Sequence, residues 1–183
     1  MSHSRPRITT YTGRVVNPLD LRSEDIAIAD IAHALALINR FCGHTSVPIS
    51  VAQHSVYVSR LCNGHALQGL LHDAAEAYIG DTTKWLKATP EMSPYRQAEA
   101  RAQHVILARF GCAPELADEV EAADRLMVRY EYEAGYNGRV IDHPGYPPVT
   151  GDERRQVGLW WPWHWSTAER EFLARFRELA CGD

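Results

Sequence analysis

Apolar residues recur every third or fourth position along most of this chain, a period that predicts amphipathic helices rather than strands. The pattern begins at residues 25–30 and carries through Ile31, Leu35 and Ile38 to Phe41, with Gly43 as its stop. A second run covers residues 51–62, behind Ser50, a good N-cap. Its apolar face is Val51, Val58, Leu61 and Cys62, and His54 projects into the middle of that face. The Asn63-Gly64 turn leads to a third run, residues 66–80. At about 100° per residue, it sets Leu67, Leu70, Leu71, Ala74 and Tyr78 on one face. Gly69, His72, Asp73 and Glu76 fall on the other.

Further helices are predicted over residues 93–110, ended by Gly111, and from Pro114 to about Tyr136. The second has an apolar stripe of Leu116, Val120, Ala123, Met127 and Tyr130. Asp124 does not join the exposed acids. It projects between Val120 and Val128, where an ionised carboxylate is costly unless paired or bound to a metal. Residues 137–158 read as an irregular Gly- and Pro-rich loop, with His143 on its surface. Four indoles follow, Trp160, Trp161, Trp163 and Trp165, suited to packing the last helix or a subunit contact. Ser166-x-x-Glu169 reads as the capping box of that helix, which runs to about Leu179. At the other end, Ile8–Tyr11 and Arg14–Val16 predict a small β-hairpin around Thr12-Gly13. The expectation is an all-α helical bundle with that hairpin, one domain over residues 1–183.

Composition narrows the function without naming it. The 183 residues are 45% hydrophobic, enough for a sizeable core. The net charge of −4 gives no general electrostatic reason to bind nucleic acid. Cys42, Cys62, Cys112 and Cys181 are scattered and form no C-x-x-C pair, which argues for reduced thiols in a cytoplasmic protein. The first residues lack the apolar stretch of a signal peptide, and no run is long enough to span a membrane. No GxxxxGK word occurs, so P-loop chemistry is excluded.

Each polar candidate, taken singly, has an ordinary structural reading. His33 reads as a structural or surface histidine, His54 as a satisfied core histidine, and Lys84 and Lys87 as solvated charges. Together they read differently. Two imidazoles and two carboxylates, His54, His72, Asp73 and Asp124, stand on three predicted helices and suit a catalytic divalent cation. Their order is H…HD…D, with ~18 residues to the pair and ~51 more to the last acid. With the flanking words SVAQHS, LLHDAAEAYIGD and EAADRL, the chain resembles the HD-domain metal-dependent phosphohydrolases. Within them it is similar to bacterial 5′-deoxynucleotidases and, through TYTG and RFCGH, to the small phage dATP triphosphohydrolases. The resemblance covers about Thr10 to Arg139.

The resemblance implies an HD-type bundle and a site whose metal ligands are His54, His72, Asp73 and Asp124. The ion implied is divalent: Zn, Mn, Co or Mg. Glu76 matches the carboxylate that orients the attacking water, and Asp81 a second acid near the scissile phosphate. Arg40 matches an arginine that holds phosphate, and Lys87 a lysine near the phosphates. Phe41 stands where relatives often carry Trp against the sugar, and His44 lies in the family's G-H word, which implies a contact with phosphate or a loop hydrogen bond. Lys84 matches no assigned position. The implied activity is hydrolysis of a deoxynucleoside triphosphate to deoxynucleoside and triphosphate, with dATP among the candidates. Hydrolysis of a 5′-deoxynucleoside monophosphate needs the same ligands. A di-iron HD oxygenase and a non-catalytic nucleotide-sensing module are alternatives of other classes; the first wants more histidines, and Glu76 and Asp81 argue against the second. The partners expected are a nucleotide and further copies of the chain, with neither nucleic acid nor membrane.

Overall fold

A computed structural model describes residues 7–136 and 145–180. His143 and Cys181 lie outside the described residues. The fold is all-α with a small N-terminal hairpin. Strands β1 (Ile8–Thr9) and β2 (Val15–Val16) pair antiparallel, Ile8 opposite Val16 and Thr9 opposite Val15. Gly13 closes the turn at a φ of +84°, which favours glycine. The Thr12 backbone N–H and hydroxyl donate to the Asp30 carboxylate at 2.7 and 3.0 Å, which ties the hairpin to helix α1 (Ile28–Leu37).

Helix α2 (Val51–Leu61) is the centre of the bundle. It packs against α1, α3 (Ala66–Leu71), α7 (Asp118–Gly135) and α9 (Trp165–Ala180). Its residues from Val51 to Ser59 are all buried, as a helix surrounded on every side must be. The polar ones therefore need partners. Gln53 donates to the Trp161 carbonyl at 2.8 Å and accepts from the Trp163 N–H at 2.9 Å. Ser59 accepts from Arg175 Nε at 3.0 Å. His54 faces α7. Ser50 caps the helix, accepting from the Gln53 N–H at 3.2 Å as its sequence position predicts.

The main core joins Ile31, Leu35, Leu70, Leu71, Ile106, Leu107 and Phe172, between α1, α3, α9 and α6 (Ser93–Arg109). A second cluster, with Tyr57, Val58, Val120, Met127 and Val157, joins α2 and α7 to α8 (Gly151–Val157). Trp163 packs on Tyr57 and Trp160 on Tyr130, whereas Trp161 and Trp165 stay substantially exposed.

Several boundaries differ from the sequence reading, each for a local reason. The first helix ends at Leu37, not Phe41. Ile38 and Asn39 continue extended, Asn39 bridges Ser50, and Arg40 N–H donates to the Ile49 carbonyl at 2.8 Å. The third run is not one helix. α3 ends at Leu71, residues 72–75 form a tight turn, and α4 (Glu76–Ile79) follows. His72 Nδ1 lies 2.8 Å from the Gly69 carbonyl, the acceptor an uninterrupted helix would offer to the Asp73 N–H. A short helix, α5 (Lys84–Lys87), leads towards α6. α7 starts at Asp118 because Gln68 holds the preceding segment unwound, donating to the Ala113 and Glu115 carbonyls and accepting from the Ala117 N–H. α8 lies within the stretch expected to be irregular, and Thr150 and Glu153 form its capping box. The predicted box at Ser166 does not form. Glu169 reaches His33 Nδ1 at 3.2 Å instead, and the Ser166 hydroxyl meets His164.

Gly69 sets how closely α3 approaches α2. A Cβ built there would lie 3.1 Å from the Cys62 sulfur and 3.3 Å from the Ser59 Cα. Because one of those neighbours is backbone, the helices themselves must yield. Gly69→Ala is expected to lower stability by about 1–3 kcal/mol through overpacking, read by urea denaturation. A variant as stable as the parent would show that the contact is softer than its geometry.

Candidate metal centre and active site

The site forms where α2, the turn after α3, and α7 meet. α2 contributes His54, fully buried, and the tight turn contributes His72 and Asp73. α7 contributes Asp124 and, about two turns further along the same stripe, Glu131. Arg40 enters from the extended segment after α1.

The imidazoles are oriented from behind. His72 Nδ1 donates to the Gly69 carbonyl, so Nε2 carries the lone pair of the neutral ring. That Nε2 is buried without a hydrogen-bond partner. It faces acceptors, Asp73 Oδ2 at 3.2 Å and Asp124 Oδ1 at 3.8 Å. His54 repeats the arrangement. Its Nδ1 meets both Glu131 oxygens at 3.1 and 3.2 Å, and its Nε2 meets Asp124 Oδ1 at 3.1 Å. Asp73 Oδ2 is 3.9 Å from the same Nε2. Lone pairs aimed at carboxylates repel unless a positive charge lies between them. A proton on each ring or a metal cation answers that need.

The proton affinities follow from this crowding. Burial and the nearby Arg40 oppose a charged His54, yet Glu131 and Asp124 outweigh them and raise its pKa. His72 is raised further: burial opposes it, but Asp73 and Asp124 prevail. Asp124 and Asp73 shift the opposite way; burial works against their ionisation, and the two histidines overcome it. His54, His72 and Asp124 each offer a ligand atom, all within 4.8 Å of one another, so this group can hold a metal ion. The residue types suit a borderline divalent cation.

A cavity of about 760 Å³ opens from this cluster. Asp73 and Asp124 stand in its wall beside Arg40, Phe41, Glu76, Asp81, Lys84 and Lys87. Arg40 donates through Nε to Glu131 at 3.0 Å and through a terminal nitrogen to Asp73 at 3.4 Å. Glu76 is buried, with Oε2 unpartnered and Oε1 3.8 Å from Lys87 Nζ. Lys87 also pairs with Glu99 at 2.8 Å. Burial, then Asp73 and Asp81, pushes Glu76 up to about 10. Asp81 is raised too, chiefly by burial. Phe41 packs near Tyr132 and Tyr136, each at 6.3 Å between centroids, and Tyr146 lies 4.8 Å from Tyr132.

His54, His72, Asp73, Asp124 and Arg40 thus converge, and Glu76, Asp81, Phe41 and Lys87 line the same space. His44 does not: it is exposed, and it is not among the described lining residues. Lys84, for which the sequence supplies no role, does line the cavity. Sequence reasoning missed Glu131. A signal was present, since an acid two turns beyond Asp124 falls on the same buried stripe.

The raised pKa of Glu76 sets the sign of a pH effect. Below its unfolded value near 4.5 both states hold the proton. Above it the unfolded chain releases the proton, while the folded one retains it to about 10. Rising pH through that window therefore destabilises the fold. In chelator, Glu76→Gln is expected to be more stable than the parent at pH 8 by roughly 1–3 kcal/mol, the scale of burying an uncompensated polar or charged group. The difference should shrink towards zero near pH 4.5. Denaturant midpoints across pH test this, and a gap that widens on acidification would contradict it.

Among the described residues, no helix is long and apolar enough to cross a membrane. No family model matches the chain. It is 37% identical over 125 residues to the uncharacterized protein YfdR of Escherichia coli K12, covering 68% of this chain and 69% of that one. It is 34% identical over 147 residues to an uncharacterized protein of Rhodobacter capsulatus, covering 72% of this chain and 74% of the relative. With that identity across more than two thirds of each sequence, the chain belongs to the family that includes these two bacterial proteins.

Proposed function

We propose that the chain is a metal-dependent phosphohydrolase of deoxynucleotides, with an HD-type centre of His54, His72, Asp73 and Asp124. One observation carries the reading. Two buried imidazoles present their Nε2 atoms to Asp124 at the base of a cavity that also holds Arg40, Glu76, Asp81 and Lys87. The cavity volume of about 760 Å³ fits the range of small-molecule sites, roughly 300–1,000 Å³. A divalent cation held by these residues would supply Lewis acidity there, the kind that draws the pKa of water from about 15.7 towards ~7.

The chain's own residues do the rest. Arg40, fixed through its Nε, turns its remaining guanidinium edge to the non-bridging phosphate oxygens. Glu76 orients the attacking water; a cation held beside it would draw its carboxyl back to the ionised form, and only that form can take the water's proton. Asp81 returns a proton to the leaving 5′-oxygen. The phosphorus gains a bond to the water oxygen and loses its bond to that 5′-oxygen. Phe41 and Tyr146, both on the cavity wall, offer aromatic faces for the sugar and base, with Tyr132 packed behind them.

With a deoxynucleoside triphosphate and attack at the α-phosphate, the products are deoxynucleoside and triphosphate. Lys84, Lys87, Arg125 and Arg129 on the cavity wall favour that longer anion. A second reading, hydrolysis of a deoxynucleoside monophosphate, is favoured by the pairing of three of these cations, Arg125 with Glu121 at 3.2 Å among them. Lys87 meets Glu99 at 2.8 Å, and Arg129 meets Glu153 at 2.8 Å.

Mono- and triphosphates of each base, assayed with Mg, Mn, Co and Zn, separate the two by release of phosphate or of triphosphate. Asp124→Ala is expected to lose bound metal and turnover together, measured by metal analysis and product release. Glu76→Gln should keep its metal while kcat falls about 10²–10⁴-fold, the usual share of a general acid or base. A near-parental rate would remove Glu76 from the chemistry. Phe41→Ala should bring deoxy- and ribonucleotide rates closer together, and an unchanged ratio would assign sugar selection elsewhere.

A further inference from the structure

The proposed reaction uses Arg40 for the phosphate and His54 for the cation, and one residue touches both from behind. Glu131 is fully buried. Its Oε2 accepts from Arg40 Nε at 3.0 Å and lies 3.1 Å from His54 Nδ1. Its Oε1 is 3.2 Å from the same Nδ1. A buried carboxylate with a cation and a ring N–H on its two oxygens has its acceptor capacity engaged, so the three side chains hold one another in register.

That register has two consequences. A hydrogen bond from His54 Nδ1 leaves Nε2 as the donor atom directed at Asp124 and the His72 side of the site. Occupying Arg40 Nε leaves the terminal nitrogens, one of them 3.4 Å from Asp73, as the edge turned to the cavity. Without Glu131, Arg40 could swing to whichever carboxylate is nearest, Asp73 above all, and lie across the cation site.

We propose that Glu131 is a positioning residue that couples cation binding to phosphate binding, by fixing the ring of His54 and the guanidinium of Arg40 with one carboxylate. The inference rests on the phosphohydrolase reading above. Glu131 touches neither cation nor substrate. Its removal weakens both together, because the two first contacts share a single anchor.

The test compares the parent with Glu131→Gln, which keeps shape and removes charge, and Glu131→Asp, which keeps charge and shortens the reach. Three quantities are measured on folded protein: Mn²⁺ affinity, affinity for inorganic tripolyphosphate with Mn²⁺ saturating, and kcat and KM separately. Glu131→Gln should bind Mn²⁺ about 10–100-fold more weakly, the usual loss when a residue orienting a metal ligand is removed. It should also raise KM, and tripolyphosphate affinity should fall several-fold even when the metal is saturated. Glu131→Asp should recover part of both losses. In an Arg40→Ala background, Glu131→Gln should still weaken Mn²⁺ binding but no longer change tripolyphosphate affinity. If Glu131→Gln lowers only the melting temperature, with both affinities within twofold of the parent, the coupling role is overturned and the phosphohydrolase reading survives. A parent protein that binds none of the divalent ions overturns both.

Discussion

Everything around this cavity bends to a surplus of buried and half-buried negative charge. Asp73, Glu76, Asp81, Asp124 and Glu131 lie close to one another, in or just behind one cavity wall. The cations that face them are Arg40 and Lys87, and Lys87 is shared with Glu99. Away from water, such a group cannot keep all its charges without a counter-charge. Protons answer that need in part: the pKa values of His54, His72 and Glu76 are all raised. A divalent cation held by His54, His72 and Asp124 would answer the same need, displacing protons from the histidines. The charge balance suits a cation at the base of the cavity, where His54, His72 and Asp124 can hold one.

The scaffold is arranged to permit that crowding. α2 carries His54 at the centre of the bundle, where no water competes for the ring. Gly69 lets α3 come close enough for His72 to face His54, with 5.2 Å between ring centroids. The same glycine supplies the carbonyl that orients His72. One position thus controls both the separation of two helices and the direction of a ring nitrogen. The tight turn at 72–75 is a by-product of that hydrogen bond, and it delivers Asp73 to the site and Glu76 to the cavity wall.

Much of this was legible in the residues, because helical period and special spacing are local properties. The periodicity located the helices that carry His54 and Asp124 and the one that ends just before His72, and the hairpin was readable from a Thr-Gly turn between β-rich pieces. Asp124 was conspicuous because it sits at the edge of an apolar stripe. What the sequence hid depends on distant partners. Gln68 unwinds the start of α7 from another helix, and His72 interrupts its own helix through a side-chain bond. Glu131 was missed although it shares the stripe of Asp124, since its meaning comes from Arg40, on a segment far away in sequence. His44 is the opposite case. A family word placed it at the phosphate, but the turn after Phe41 points it to solvent.

That turn carries the last constraint. Phe41 and Cys42 both adopt left-handed backbone, at φ of 55° and 51°, a conformation that costs a residue with a side chain about 1 kcal/mol or more. Neither is glycine, although Gly43 follows immediately. The strain is explained by what flanks it. Upstream, Arg40 is pinned on both sides, its backbone to Ile49 and its guanidinium to Glu131. Downstream, the Ser46 N–H and hydroxyl are both bonded to the Gly135 carbonyl at the end of α7. The chain has to reverse between these anchors, and it does so at Phe41, whose ring then faces Tyr132 and Tyr136 on that same helix. An unstrained turn would require one anchor to yield. The anchor nearest the candidate site is the Arg40–Glu131 pair, so the backbone distortion is the local cost of holding a guanidinium still beside the His54–His72–Asp124 cluster.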